Sequence, residues 1–281
     1  EPDHRLGLTG ISLSASDDKA SVMVTTVARD PKPSDPSFRF NDVRVLGYSS
    51  VGERVPVVVL SKGDTLIGCH VEDSTWSFAL PALTDSVKIA TKGHGEFTLT
   101  GIFLDNPFPG ISVTGIGVNG ASLGSYAKCT GLVNDLRLVN PDLVIFGIGI
   151  NDATAANFSV EDFVTRYKVL VSQVRSVNPS CALLFISNND SFKRIRRKGY
   201  VVNTNGQLAE QGFLRLGKDC DAGVWDLFDI MGGLGSMRKW ETVGLAKRDK
   251  IHFTETGYEL VGDLLFNALM DKYMNHLKTS R

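Results

Sequence analysis

Asp249 and His252 lie three residues apart in Asp249-Lys-Ile-His252-Phe-Thr254, close enough for a carboxylate to hydrogen-bond an imidazole within one loop. Such a pair fixes the ring's tautomer and stabilises its protonated form, as a general base requires. The plainer alternative is a loop histidine followed by Thr254 capping the next helix. A second segment, Gly147-Ile-Gly-Ile-Asn151-Asp152, ends in an asparagine whose amide can donate to a developing oxyanion. Asn151, Asp152 or Asn157 could equally be a helix cap. A third, Gly115-Ile-Gly-Val-Asn-Gly120-Ala, carries glycines that let a backbone turn sharply and face its N–H groups toward a ligand. It could also be a tight turn with no other duty. Ser122 follows within Gly120-Ala-Ser-Leu-Gly124, a match to the G-x-S-x-G nucleophile elbow that is easily met by accident in a chain with 28 glycines.

The elements that must position these residues fall into two halves. Residues 1–108 read as short strands: Gly10–Ser14, Ala20–Val27, Val55–Leu60, Asp85–Ala90 and Glu96–Leu104, several alternating apolar with polar. Pro56 cannot donate to a ladder, so its strand should start there or lie at an edge. Turn signals at 30–33, 50–52, 62–64 and 92–95 separate the strands, which together indicate a β-sandwich or jelly roll. From 109 onward strand and helix alternate, with strands at 111–117, 142–147, 181–186 and 224–228. Helices are expected near 121–138, 160–177, 206–218 and 256–277. In the second of these, Phe163, Tyr167, Val171 and Val174 recur at helical spacing. This half, 109–281, should be a parallel α/β sheet covered by helices on both faces. Ligands bind at the carboxyl ends of such strands, where the three segments fall. The boundary is expected at Asn106-Pro-Phe-Pro-Gly110.

Composition narrows the function classes. With 30 basic and 31 acidic side chains the net charge is -1, which gives no footprint for nucleic acid. No apolar run reaches the length of a membrane span. The four cysteines are scattered and read as small buried hydrophobes. His70 and His94 have no third ligand at metal spacing, so no catalytic metal is expected. The basic run 193–198 reads as a solvated loop that could meet a polyanion. Trp76, Phe78, Phe103 and Phe108 could stack on sugar rings but read mostly as core.

Together the glycine turn ending at Gly120, Asn151 in its Gly-Ile-Asn-Asp context and Asp249-x-x-His252 resemble the second, third and fifth blocks of the SGNH (GDSL-like) hydrolases. The stretch Met231–Trp240 with Gly244 and Leu245 resembles the segment before the last block in carbohydrate esterases of that group. The resemblance implies a flavodoxin-like parallel sheet and a serine esterase working through an acyl-enzyme without a cofactor. By it, His252 is the base, Asp249 orients it, and Asn151 and the Gly120 N–H belong to the oxyanion hole.

The family's nucleophile sits in a Gly-Asp-Ser block on the first strand, and no Gly-Asp-Ser occurs here. Some relatives carry a carbohydrate-binding-module-like sandwich between that block and the second, the place occupied by residues 1–108. The serine strand is therefore expected upstream of Glu1, and the α/β domain lacks its first strand in this chain. Ser122 is the competing nucleophile; an acid three residues before the histidine fits the SGNH arrangement and not the α/β-hydrolase one. The expected substrate is an O-acylated, and specifically acetylated, carbohydrate, which puts the protein in the periplasm or outside the cell. A non-catalytic carbohydrate-binding protein, or a lipase or thioesterase on the same fold, is the alternative.

Overall fold

β-Branched and aromatic residues recur in short runs through the first third of the chain, and those runs fold as strands. The computed structural model describes residues 5–28, 30, 37–60, 63–72, 74–197 and 199–279. The turn positions 31–33, Lys62 and Lys198 lie outside the described residues. The chain divides into two compact units, Glu1–Asn119 with Lys128–Val139, and Gly120–Ala127 with Asn140–Arg281.

In the first unit the strands are β1 (Leu13–Ala15), β2 (Ser21–Thr25), β3 (Phe40–Gly52), β4 (Val55–Val59), β5 (Thr65–Ile67), β6 (Cys69–Glu72), β7 (Thr75–Thr84), β8 (Ser86–Lys92) and β9 (Gly95–Asp105). They pair antiparallel as β1-β9-β3-β7-β6 and β2-β8-β4-β5. Val43, Val45, Trp76, Phe78 and Phe97 of the first sheet share one buried cluster with Val58, Val87 and Ile89 of the second. Burying such side chains contributes about 1.5–3 kcal/mol each. Trp76 and Phe78 are thus core, whereas Phe108 is exposed. Pro56 is the second residue of the inner strand β4, beyond the reach of β5, which pairs only with Val57–Val59. Cys129, Cys181 and Cys220 are buried, but Cys69 is exposed on β6, at the edge of its sheet.

The helix expected near 121–138 is two helices, α1 (Leu123–Tyr126) and α2 (Leu132–Val139). Between them the Gly131 N–H is drawn off to the Leu6 carbonyl at 2.9 Å, away from any helical acceptor. The strand expected at 111–117 does not form. Ile111 and Val113 are 95% and 88% exposed, and no ladder partner pairs with them among the described residues. An apolar segment without a hydrogen-bonded neighbour is not a strand, whatever its composition.

The second unit contains the parallel sheet β10 (Leu143–Phe146), β11 (Ala182–Ile186) and β14 (Gly223–Trp225), in the order β10-β11-β14. The last strand is shorter than expected, because the Asp226 side chain accepts from Asp229 N and starts α5 (Leu227–Ile230). Helix α3 (Val160–Val177) and helix α4 (Asn205–Asp219) cover one face. There Phe146, Tyr167, Phe185 and Phe213 pack ring against ring. On the other face Leu184 and Ile186 pack against a cluster that includes Trp225, Met237 and Phe253, as do Val261, Leu265 and Ala268 of α7 (Glu255–Thr279). Strand alternation produces this division, since neighbouring residues of β11 point to opposite faces. A hairpin unforeseen in the sequence, β12 (Phe192–Ile195) with β13 (Gly199–Val202), and the short helix α6 (Met237–Thr242) complete the unit.

Candidate active site

Asp249 and His252 meet as their spacing predicts. His252 Nδ1 lies 2.9 Å from Asp249 Oδ2, while Asp249 Oδ1 accepts from the N–H groups of Ile251 at 2.9 Å and His252 at 3.0 Å. With Nδ1–H donating to the carboxylate, the lone pair is left on Nε2, the atom a general base uses. Partial burial works against charge on Asp249, but the backbone and ring donors of His252 and the Ile251 N–H outweigh it. Its carboxyl is held below the ordinary value of 3.8. A depressed carboxyl stabilises the fold above its unfolded pKa, and that contribution disappears as pH falls through the folded value. The expected result is that wild type loses more of its melting temperature between pH 5 and pH 3 than Asp249→Asn does. Thermal melts of both proteins across that range check it.

The loop is held at both ends. Lys247 N donates to His252 O, Thr254 N donates to Leu245 O, and Ala246 bridges to Phe253. Thr254 Oγ1 also accepts from Gly257 N at 3.2 Å, so it caps α7 as well. The histidine pair and the cap therefore coexist.

Asn151 follows β10 and caps nothing with its side chain. Its Nδ2 donates to Ala121 O at 2.8 Å, which joins the Asn151 loop to the turn at Gly120. Gly120 adopts φ +77°, a left-handed conformation that favours glycine. Ser122 is the N-cap of α1, its Oγ 3.3 Å from Ser125 Oγ and its N–H donating to that same oxygen at 3.1 Å.

Several positioning contacts left no mark in the sequence. The Asp152 carboxylate accepts from Leu123 N at 3.1 Å and 3.3 Å through its two oxygens, a second tie between the two loops. Burial pushes that carboxyl up, against the pull of its backbone donors. The buried Tyr167 hydroxyl donates to Ile148 O and fixes the end of β10. Next to it Gly149 has φ +139°, and a methyl group there would stand 3.0 Å from both Asn188 Oδ1 and Phe163 Cζ. Residues 188–190 then reach three loops in turn. Asn188 lies against Gly149, and Asn189 Nδ2 donates to Ile251 O at 2.9 Å. The fully buried Asp190 accepts from Met237 N at 2.9 Å. Burial pushes the Asp190 carboxyl up, and the N–H groups of Met237, Gly235 and Ser191 oppose that. The strand end after β11 thus links the Asn151 loop to the His252 loop.

This arrangement can do acid–base chemistry at Nε2 and can offer an amide hydrogen to an oxyanion. Among the described residues no group of three His, Cys, Asp or Glu side chains could hold a metal ion. Among the same residues no helix is long and apolar enough to cross a membrane.

A comparison with curated proteins gives no match. Among solved structures, one described as "Peptidoglycan O-acetylesterase in action" is 23% identical, with a TM-score of 0.77 over 95% of this chain and 72% of that one, and shows the same fold. An acetyl xylan esterase is 18% identical, with a TM-score of 0.43 over 54% of this chain and 78% of its own. A family two carbohydrate esterase from Clostridium thermocellum is 14% identical, with a TM-score of 0.32 over 76% of this chain and 83% of that one. The profile of the GDSL-like lipase/acylhydrolase family matches residues 100–260, a span that includes Gly120, Asn151, Asp249 and His252. The chain belongs to the GDSL-like lipase/acylhydrolase family.

Proposed function

We propose that this protein is a serine esterase that removes O-acetyl groups from a carbohydrate through an acyl-enzyme. The observation that carries the reading is the Asp249–His252 pair at 2.9 Å, on a loop tied through Asn189 to the strand ends that bear Asn151. His252 Nε2 takes the proton of the attacking serine, and Asp249 holds the ring and stabilises the imidazolium. The carbonyl oxygen becomes an oxyanion that receives the second hydrogen of the Asn151 amide and the Gly120 N–H. His252 then returns its proton to the leaving sugar hydroxyl, and water repeats the sequence to release acetate.

The nucleophile belongs to a strand that is not among these 281 residues. Support comes from β10, whose sequence Leu-Val-Ile-Phe is that of a strand covered on both faces. Yet Leu143 and Ile145 are 46% and 43% exposed, and one edge of β10 has no partner among the described residues. A further parallel strand at that edge would cover these side chains, satisfy the backbone groups of β10 and extend the sheet to the flavodoxin-like form. On this reading Ser122 is a helix cap.

The antiparallel unit reads as a carbohydrate-binding-module-like β-sandwich, residues 1–108, before the hydrolase domain, 109–281. The solved structure with the same fold is described as an esterase of peptidoglycan, a polymer outside the cytoplasm, and the periplasm or cell exterior is the proposed location here too. The test, on the protein as its source makes it, is acetate release from acetylated xylan together with turnover of p-nitrophenyl acetate and p-nitrophenyl palmitate. Acetate release and a strong preference for the acetyl ester are expected. Sugar binding without acetate release would replace the esterase with a binding protein, and a palmitate preference with a lipase.

A further inference from the structure

The hairpin β12–β13 carries the densest charge of the chain, since five of the six residues at 193–198 are basic while the whole protein has a net charge of -1. Arg194, Arg196 and Arg197 are exposed, and among the described residues none of them forms an ion pair. Neighbouring cations repel one another, so three arginines without carboxylate partners among the described residues disfavour the free hairpin and favour an anion beside it.

The hairpin also has a defined orientation. Its register pairs Phe192 with Val202 and Arg194 with Tyr200, and directly opposed residues project from one face. Alternation puts Phe192 and Arg194 on that same face. Phe192 is buried in a cluster that includes Phe253, the neighbour of His252, and its N–H donates to Lys250 O at 3.0 Å. Lys250 Nζ stands 5.0 Å from the centre of the Tyr200 ring. The face bearing Arg194 and Tyr200 is therefore the one that adjoins the His252 loop. Tyr200 is itself exposed, an aromatic ring between cations.

We propose that this face, with Arg194 and Tyr200 along it and Arg196 and Arg197 at its tip, binds carboxylate-bearing sugar residues of the ester substrate; Lys250, held by Glu241 Oε2 at 2.6 Å, borders the face and is not counted among its free cations. A guanidinium fork matches a carboxylate through two parallel hydrogen bonds, and a tyrosine ring offers a flat apolar surface to a sugar ring. The inference rests on the esterase reading and deepens it: the substrate is an acidic O-acetylated polysaccharide. Nucleic acid and anionic lipid also carry negative charge, but neither presents a sugar acetyl ester to the histidine beside this face.

The test compares wild type with the Arg194→Gln/Arg196→Gln/Arg197→Gln variant on acetylated polygalacturonate and acetylated xylan. In wild type kcat/KM favours the acidic polymer, and added salt erodes that preference. In the variant the ratio of the two falls roughly tenfold and its salt dependence flattens. Equal ratios in the two proteins overturn the proposal. Binding of polygalacturonate without acetyl groups is measured beside it, against duplex DNA and anionic phospholipid vesicles. Weaker binding of polygalacturonate by the variant supports the surface. DNA or vesicles bound by wild type as tightly as polygalacturonate overturn it. Wild type that binds polygalacturonate through these arginines but hydrolyses no ester overturns the esterase reading alone.

Discussion

His252→Gln lowers ester turnover on the order of 10⁴-fold while leaving KM nearly unchanged. The size follows from what the ring does in the proposed reaction. Asp249 Oδ2 engages Nδ1 at 2.9 Å, so Nε2 carries the lone pair that takes the serine proton and later protonates the leaving hydroxyl. Glutamine can donate to Asp249 but cannot accept and release a proton near neutral pH. Both half-reactions then lose their base, and members of such a unit fail together. The ring is largely exposed and contributes little packing, so the variant should melt close to wild type. Initial rates on p-nitrophenyl acetate give kcat and KM for both proteins. A variant retaining a tenth or more of wild-type kcat contradicts the assignment of the base.

Asn151→Ala costs about 10²–10³-fold in kcat, the loss seen when a single oxyanion donor is removed. An amide has two hydrogens. One of those on Asn151 is spent on Ala121 O at 2.8 Å, which leaves the other for the oxyanion in the proposed reaction. Alanine removes the oxyanion donor and also releases the Ala121 carbonyl, so the turn loosens. Asn151→Asp separates the two effects because it keeps the side-chain shape while placing negative charge where the oxyanion forms. Its kcat should fall at least as far as that of Asn151→Ala. A rise in KM at constant kcat, in either variant, would assign Asn151 to ground-state binding instead.

What the sequence disclosed depended on whether the signal was local. Phe163, Tyr167, Val171 and Val174 recur at helical spacing and are all buried on α3, so that helix was legible to its ends. Asp249 and His252 were legible because three residues of one loop suffice to join them. The longest strand, β3, carries no legible period. Val43 and Val45 alternate correctly, but a register shift at Leu46/Gly47 breaks the period, and Asn41, Asp42 and Arg44 dilute it. The hairpin β12–β13 is hidden for a related reason, since basic side chains on both faces of β12 leave no apolar period. The strand expected at 111–117 failed because composition measures readiness to pair and says nothing of whether a partner is present. Contacts such as Asn189 to Ile251 and Tyr167 to Ile148 join a side chain to a distant carbonyl. No spacing rule reaches across 62 residues.

In the proposed reaction a serine hydroxyl from an added strand meets the imidazole of His252. Labelling the protein, as its source makes it, with a fluorophosphonate and mapping the modified peptide tests this most directly. The predicted result is a single label on a serine outside residues 1–281, lost in His252→Gln. A label on Ser122, or labelling that is indifferent to His252, would contradict it.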